Sequence, residues 1–317
     1  MLIDIPRITY SQSIGANQIV KVLTRTEQAE SEFIKIKQVK EHALTFRHKG
    51  YDVLVLNSKN QALIKRYEHV LLTDPNTCFT SMDPDISGFN WIKHPLLKSS
   101  YHAKHTIDLV LDSWTDTFSY KADREGDPGL RTPQIGALHA LQAHWSVSNE
   151  PAIVVLPTGT GKTETMLSTM VCNSIKHLLV VVPTDALRDQ LSGKFSTLGI
   201  LPKFKIVGEE CENPIVGIMK RSFKLETEVD AFFDKVNVVV ATMSVLAACT
   251  PEIQYYLGQK VSHLFIDEPH HTPAKTWRRF RAQLEHCRIV LFTATPFRND
   301  GKRLEGKIIF NFPLALA

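Results

Sequence analysis

The stretch LPTGTGKTE, residues 156–164, decides how the rest of the chain is interpreted. It follows an apolar run at residues 152–156 and opens a segment of helical pattern that begins at Lys162. Gly159 and Gly161 allow the backbone to bend so that successive N–H groups can point at one anion. A helix N-terminus adds aligned dipoles and unpaired donors. A buried strand, a glycine-rich turn and a helix in this order predict a phosphate-binding loop.

Two side chains of the loop have a predicted chemical role. Lys162 supplies a mobile positive charge for terminal phosphates, and the Thr163 hydroxyl supplies an oxygen for Mg²⁺, which prefers hard ligands. Leu156 stands where the strict pattern has its first glycine. A Gly/Thr-rich surface turn beside a lysine therefore remains the alternative, and the other segments of the chain decide between the two.

Length and composition favour a globular protein with room for two domains. The chain has 317 residues, 43% apolar and 22% charged, with a net charge of +4, values that are ordinary for such proteins. This mildly basic balance is compatible with a nucleic-acid partner. The five cysteines form no CxxC pair, which is typical of a reducing compartment. No signal peptide or membrane-spanning run is visible, so we expect a cytoplasmic protein without a membrane partner.

Strand-like and helical segments alternate after the loop. The further apolar runs lie at residues 178–182, 236–241, 264–266 and 289–292. Helical segments such as residues 185–195 separate them, which predicts a parallel sheet with helices on both faces. Ligands bind such sheets at the carboxyl ends of the strands, and polar residues follow several of these runs.

Asp267 and Glu268 end the fourth predicted strand. An aspartate in this place can hold Mg²⁺ directly or through water, and the neighbouring glutamate can orient or deprotonate an attacking water. Such a division of labour is what phosphoryl transfer to water requires. An Asp-Glu pair alone is an ordinary start of a polar loop, but about a hundred residues after a Lys-Thr loop it is far more specific.

Hydroxyl groups end the other strands. Thr293 and Thr295 flank an alanine after the fifth strand, where they could bridge the metal site to a neighbouring surface. Thr184 and Thr242 end the second and third strands, and such hydroxyls at helix starts suit sugar-phosphate oxygens. The alternative is a set of ordinary turns and solvated helix faces.

These segments together resemble the first RecA-like domain of a superfamily-two helicase or translocase. The resemblance covers residues 130–317 and follows the family's motif order. LRTPQ is similar to the glutamine motif, LPTGTGKTE to motif I, VVPTDALRDQ to motif Ia, ATMSVL to the next DNA-contacting motif, IDEPHH to the DEAH-type motif II and TATPFR to motif III. Pro269 replaces the alanine of DEAH, and proline biases the residue before it, Glu268, toward an extended conformation.

The resemblance implies ATP and Mg²⁺ as cofactors and assigns roles residue by residue. The implied catalytic residues are Lys162, Asp267, Glu268 and His270, with Thr163 and Asp267 on the metal. The implied nucleotide-binding residues are Arg131, Gln134, Thr158, Gly159, Thr160, Gly161, Lys162, Thr163 and Glu164. The residues implied for nucleic-acid contact or coupling are Pro183, Thr184, Arg188, Gln190, Thr242, Met243, Thr293 and Thr295.

The polar, turn-rich segment at residues 121–129 is the predicted domain boundary. We expect an α+β accessory domain of unknown role at residues 1–125 and the ATP-binding domain at residues 126–317. The second RecA-like domain of the family, which carries an arginine finger, is expected in cis or in trans. Because such an arginine contributes roughly 10³–10⁵ in turnover, ATP hydrolysis by this chain alone is expected to be slow.

Several functions remain open from the sequence. The leading one is ATP-driven movement on duplex DNA, possibly in restriction or phage defence, the latter by family analogy. A nucleotide-gated module that binds DNA or a partner without productive turnover is the alternative. A small-molecule kinase would leave TATP and PTDALRDQ unexplained. A nuclease role for residues 102–108, which resemble the start of a phospholipase-D-type motif, is weaker because Asp108 comes one residue early.

Overall fold

In a computed structural model of the chain, the described residues are 2–30, 33–35, 43–77, 88–271, 274–284, 286–295 and 304–313. Two segments lie outside them: Asp83-Pro84-Asp85, whose residue types predict a loop, and TATPFR from Pro296 onward. Two compact units are present. The first comprises Met1–Tyr10 and Val22–His105, and the second comprises Ser11–Lys21 and Thr106–Ala317.

Strands dominate the chain before residue 105. In chain order they are β1 (Leu2–Ile5), β2 (Thr9–Ile14), β3 (Asn17–Val22), β4 (Glu27–Glu30), β5 (Phe33–Lys35), β6 (Ala43–His48), β7 (Tyr51–Leu56), β8 (His69–Leu72) and β9 (Asn90–Lys93). The helices of this part are α1 (Gln61–Arg66) and α2 (Ser99–His102), with a 3₁₀ turn at Pro95–Leu97. The charge-rich sequence of residues 27–40 predicts a helix. This prediction was wrong, because its described part forms β4 and β5.

The first unit contains a five-stranded sheet in the order β5-β6-β7-β8-β9. The run YDVLVL predicts a strand, and it forms β7. Its alternation places Val53 and Val55 in one apolar cluster and Leu54 and Leu56 in another. Successive side chains of a strand point to opposite faces, so this sheet is buried on both sides. His102 ends helix α2 instead of lying on a strand, and its ring stacks on Tyr10 at 3.7 Å between centroids.

Strands and helices alternate in the second unit, as predicted. Its further strands are β10 (Ala152–Val155), β11 (Leu178–Val182), β12 (Val216–Met219), β13 (Val238–Thr242), β14 (His263–Asp267), β15 (Arg288–Thr293) and β16 (Lys307–Asn311). Its helices are α3 (Ile107–Trp114), α4 (Thr132–Trp145), α5 (Lys162–Cys172), α6 (Asp185–Ser196), α7 (Glu226–Phe233), α8 (Met243–Ala247), α9 (Pro251–Lys260) and α10 (Ala274–Arg281), with a 3₁₀ turn at Pro269–His271. Among the described residues, no helix is both long and apolar enough to cross a bilayer.

One nine-stranded sheet organises the second unit, in the order β16-β10-β15-β14-β11-β13-β12-β3-β2. Neighbouring strands from β16 to β12 are parallel, whereas β3 pairs antiparallel with β12. The predicted RecA-like α/β architecture with a smaller sheet-rich N-terminal region is therefore confirmed. The sequence analysis did not predict β12, β16 or the strands contributed by residues 11–21.

The compact units divide at His105/Thr106, earlier in the chain than the predicted boundary at residues 125/126. Helix α3 explains the difference, because Val110 and Trp114 are buried in the core that covers the large sheet. The Trp114 Nε1–H donates to the Glu212 carbonyl at 2.9 Å. Ile19 of β3 belongs to the same core. Helix α3 and strand β3 are therefore part of the second unit because their apolar side chains are buried in its core.

Candidate active site

The predicted phosphate-binding loop lies between β10 and α5, at the edge where the parallel strands end, here called the carboxyl edge. Gly159 and Gly161 have φ values of +86° and +90°, in the region that favours glycine. A Cβ on Gly161 would lie 2.0 Å from Gln134 Nε2, whereas one on Gly159 would have nothing within 4 Å. Gly161 is thus favoured both by its backbone conformation and by the nearby Gln134 side chain. The empty space beside Gly159 leaves the loop open to a ligand.

Hydroxyl groups fix the loop from inside. Buried Thr160 donates its Oγ1–H to the Pro157 carbonyl at 2.6 Å, and Thr165 donates to the Gly161 carbonyl at 3.0 Å. Helix α5 starts after Gly161 without a side-chain cap. Its first N–H groups therefore face the loop, which suits an anion. Thr158 is exposed and Thr163 is half-buried.

Glu164 lies on the first turn of α5 and is half-buried. Its carboxylate is 3.8 Å from the Lys194 ammonium. The side chain thus reaches toward α6, and its predicted nucleotide contact stays a prediction.

Arg131 and Gln134 brace the loop from the start of α4. Arg131 Nη1 donates to the Gly159 carbonyl at 2.6 Å, and Gln134 Nε2 donates to the Gly161 carbonyl at 3.2 Å. The Gln134 Oε1 in turn accepts the Arg131 backbone N–H at 2.7 Å. Both predicted residues therefore contact the predicted phosphate-binding loop, and their contacts set the positions of its two glycines. Their role in adenine recognition stays a prediction.

Glu268 joins the loop to two strand ends. Its carboxylate forms an ion pair with Lys162, and the two side chains are 19% and 15% exposed. It also accepts the Thr293 hydroxyl at 3.1 Å and the Ala294 N–H at 3.2 Å. His270 Nδ1 lies 3.4 Å from the same carboxylate. The ends of β10, β14 and β15 thus meet in one polar cluster.

The backbone of Glu268 differs from expectation. Its φ is +48°, so the extended conformation predicted from Pro269 was wrong. A positive φ before proline is sterically disfavoured. The backbone N–H of Glu268 donates to the Phe292 carbonyl at 2.9 Å, and its carboxylate is held as described above. These contacts offset the unfavourable backbone conformation and direct the side chain toward the loop.

The residues suited to Mg²⁺ are Asp267 and Thr163. Asp267 is the last residue of β14 and is half-buried, and Thr163 is the second residue of α5. Across the described ranges, no group of three or more His, Cys, Asp or Glu side chains is placed to hold a metal. Mg²⁺ does not require such a cage, because it takes one or two protein oxygens together with phosphate and water. The donor set therefore fits a magnesium–nucleotide complex.

The predicted nucleic-acid residues are in a different environment. Arg188 is buried, and its guanidinium forms ion pairs with Asp185 at 2.5 Å and Asp189 at 3.0 Å. Thr242 and Met243 are buried, and the Thr242 hydroxyl lies 2.9 Å from that of Ser244.

The remaining predicted contacts are more accessible. Thr184 caps α6 by accepting the Leu187 N–H at 3.3 Å. Gln190 and Thr295 are exposed and Pro183 is half-buried. A role in nucleic-acid contact stays a prediction for all of these residues.

Two features of the carboxyl edge were not predicted from the sequence. The Ala294 N–H to Glu268 bond is a backbone contact, and residue patterns carry no signal for it. Strand β12 also escaped, although the apolar run at residues 215–219 after Asn213-Pro214 was a usable signal.

Comparison with known proteins identifies the family. The family model described as "Type III restriction enzyme, res subunit" matches residues 127–298, more than half of the 317 residues. The chain belongs to this family. Its large unit is therefore a superfamily-two helicase RecA-like domain, and the helicases of this superfamily use ATP with Mg²⁺. No curated protein sequence matches the chain.

Similar solved structures include two helicases. The UvsW helicase from bacteriophage T4 is 17% identical with a TM-score of 0.37, over 59% of this chain and 59% of that chain. The DUF1998 helicase MrfA bound to DNA and AMPPNP is 16% identical with a TM-score of 0.35, over 61% of this chain and 26% of that chain. The chain thus spans less than two thirds of either protein.

Proposed function

We propose that this chain is the ATP-binding half of a helicase or translocase that couples ATP hydrolysis to movement on DNA. The observation that carries the proposal is the pairing of Lys162 with Glu268. These residues are 106 positions apart in the sequence, yet they meet where neighbouring strands end. Phosphoryl transfer to water needs a cation for the phosphates and a carboxylate for the water within one small site.

Each side chain has a distinct task in this proposal. The loop N–H groups and Lys162 bind the terminal phosphates, and Thr163 and Asp267 hold Mg²⁺, which neutralises phosphate charge when bound. Glu268 orients the attacking water and accepts its proton. The Thr293 hydroxyl and the Ala294 N–H hold that carboxylate in place.

The ion pair gives nucleotide binding a direct effect on Glu268. Phosphates compete with the carboxylate for the Lys162 ammonium, because both are anions of similar hydrogen-bonding preference. Once Lys162 turns to phosphate, Glu268 keeps its bonds to the end of β15 and is free to engage water. Binding and preparation for hydrolysis are thereby coupled through one side chain.

The partners follow from the family. We propose duplex DNA as the track and a second RecA-like domain, in cis or in trans, as the source of a transition-state arginine. Restriction or phage defence is the proposed setting, because the matching family is a restriction-enzyme subunit. A cytoplasmic location accords with that setting.

A nucleotide-gated binding module is the second candidate. The bond between the Thr293 hydroxyl and Glu268 supports it. In this alternative, unlike the motor, that bond changes when phosphate releases Lys162, so the contacts at the end of β15 change without any turnover. ATP-dependent DNA affinity without DNA-stimulated hydrolysis would favour this function over a motor.

Two variants test the proposal. Lys162→Ala should weaken nucleotide binding about 100-fold or more, because charge-assisted hydrogen bonds to phosphate are lost. Glu268→Gln should retain binding and lose about 10²–10⁴ in turnover, as removal of a general base does. Binding is measured with a fluorescent ATP analogue, and turnover by phosphate release with and without a short DNA duplex.

Lys203→Ala is the matched control, because Lys203 is exposed and lies in the turn segment that follows α6. It should leave both measurements unchanged. Parental turnover in Glu268→Gln, or parental nucleotide affinity in Lys162→Ala, would refute the assigned roles.

A further inference from the structure

Residues 11–21 come from the N-terminal part of the chain but belong to the unit built on the large sheet. Strand β3 pairs antiparallel with β12 through Val20, Ile19 and Gln18, and β12 is parallel to β13. The start of β3 therefore lies at the carboxyl edge, next to the end of β12. The turn between β2 and β3 is placed at the same edge as the phosphate-binding loop.

Asn17 fixes the chain where it leaves β12. Its side chain is buried, with 4% exposure. The Oδ1 accepts the backbone N–H groups of Lys220 at 2.8 Å and Arg221 at 2.9 Å. Strand β12 ends at Met219, so these amides follow the last ladder position. One side chain from β3 thus sets the course of this segment.

The segment held by Asn17 presents cations to solvent. Lys220, Arg221 and Lys224 are exposed and are here called the basic corner. Gln18 of β3 adds a polar contact, because its Oε1 accepts from Lys220 Nζ at 3.4 Å.

Acidic groups of the same segment do not cancel this charge. Glu226 and Glu228 lie on the first turn of α7. The Glu228 carboxylate accepts the backbone N–H groups of Lys224 at 2.7 Å and Leu225 at 3.2 Å. The Glu228 carboxylate is thus directed at the backbone, and three cations face two carboxylates, so the formal charge of residues 220–228 is +1.

Neighbouring strand ends offer less positive charge. At the end of β11, Arg188 is buried between Asp185 and Asp189. At the end of β13, Thr242 and Met243 are buried. Five strand spacings separate β12 from β10 in the sheet order, about 24 Å at ~4.8 Å per strand. The basic corner is therefore a surface separate from the nucleotide loop.

We propose that the basic corner binds the phosphate backbone of a nucleic acid and that Asn17 is its positioning residue. The class of ligand rests on the proposed function. Exposed lysine and arginine side chains bind backbone phosphates with release of counterions, independently of sequence. The N-terminal β2–β3 hairpin then has a role in the ATP-binding unit, because it supplies the bond that holds two of the three cations.

The experiment measures binding of the full chain to a fluorescently labelled DNA duplex and to one of its strands, over a range of KCl and with a non-hydrolysable ATP analogue. Lys220→Ala/Arg221→Ala should weaken binding about tenfold or more and reduce the salt slope by about two for a duplex. Asn17→Ala should weaken binding several-fold and leave affinity for the ATP analogue unchanged.

Lys203→Ala/Lys235→Ala is the matched control. It removes the same charge from exposed positions that follow α6 and precede β13, on the side of the sheet opposite the carboxyl edge, and should change binding little. A positioning role also predicts that Asn17→Ala has little further effect in the Lys220→Ala/Arg221→Ala background, since residues that act as a unit are not additive.

Three outcomes would overturn the inference. The first is parental affinity and salt slope in Lys220→Ala/Arg221→Ala. The second, which removes the role of Asn17, is an undiminished effect of Asn17→Ala in that background. The third is failure of the parent chain to bind either duplex or single strand. In that last case, loss of ATP-analogue binding in Lys162→Ala would still support the nucleotide site.

Discussion

The two halves of the carboxyl edge differ in what they do with their polar residues. In the near half, at the ends of β10, β14 and β15, the predicted residues Lys162, Glu268 and Thr293 contact one another. In the far half, at the ends of β11 and β13, Arg188 and Thr242 are buried and bonded to their own neighbours. The polar residues at the strand ends therefore contact one another in the near half, whereas in the far half they contact their own sequence neighbours.

The difference shows how far the role of a residue can be inferred from a motif match. In the near half, long-range contacts between strand ends account for the residue types. In the far half, helix capping and local ion pairs already account for Thr184 and Arg188. Substitutions in the near half should therefore alter nucleotide chemistry, whereas those in the far half should alter stability.

Gly161→Ala should have the largest effect in the near half. The added Cβ would lie 2.0 Å from Gln134 Nε2 at a φ of +90°, so the loop and its brace cannot both keep their positions. We expect affinity for a fluorescent ATP analogue to fall about 100-fold, the effect of losing ~2.7 kcal/mol of binding free energy.

Gly193→Ala is the control for that change. A Cβ at Gly193 meets nothing within 4 Å, and the residue lies within α6. Nucleotide affinity should be unchanged, and stability should rise by about 0.5–1 kcal/mol, because alanine is the better helix former. Parental affinity in Gly161→Ala would mean that the observed loop geometry is not the one that binds nucleotide.

Thr293→Val should reduce turnover about tenfold, because it removes a hydrogen bond to a charged group worth about 1.5 kcal/mol. Valine keeps the shape but removes the hydroxyl, whose one hydrogen is shared between Glu268 Oε2 at 3.1 Å and the Thr295 carbonyl at 2.7 Å. Phosphate release is measured at saturating ATP, and nucleotide affinity should stay at the parental value. Thr115→Val is the matched change at an exposed threonine that follows α3, and it should leave turnover intact. Equal losses in both variants would argue against a specific role for the Thr293 hydroxyl.

Arg188→Ala should lower the free energy of unfolding by about 1–2 kcal/mol, through lost packing of its buried stem as much as lost charge. Its side chain is 7% exposed, whereas its acidic partners are largely solvated. Gln190→Ala, at an exposed position of the same helix, should stay within about 0.5 kcal/mol of the parent. Unfolding is followed in urea by circular dichroism. Unchanged stability with weaker DNA binding would restore Arg188 as a contact residue.

Thr184→Ala should have the smallest effect, about 1 kcal/mol of stability, because it removes one N-cap. Thr250 provides the matched cap on α9, where it accepts the Ile253 N–H at 3.4 Å. Thr250→Ala should cost a similar amount. If the two variants match in stability but only Thr184→Ala weakens DNA binding, Thr184 has a contact role beyond capping.

The sequence predicted much of the second unit because its strands are short, continuous apolar runs between turn residues. The runs that became β11, β14 and β15 are buried on both faces and need little context. Strand β12 contains Gly217. A Cβ at this position would lie 2.8 Å from the Phe232 ring. Such a glycine weakens the strand signal of the apolar run at residues 215–219, and packing against Phe232 explains why this position is a glycine.

The first unit was predicted less well for a physical reason. Residues 27–30 and 33–35 carry charges at a density that also suits a solvated helix, and pairing partners elsewhere in the chain decide that they are strands. Strand β4 pairs with β1, and β5 pairs with β6. Local propensity is overridden by such long-range pairing.

The sequence by itself determined the glycine-rich loop between β10 and α5 and the parallel sheet. These depend on local backbone requirements and on apolar runs, which neighbouring residues encode. The tertiary structure alone decided that Glu268 takes a positive φ and pairs with Lys162, that Arg188 is buried between two carboxylates, and that Asn17 holds the end of β12. Each of these depends on contacts that packing decides, either between groups far apart in the chain or among several possible partners of one side chain.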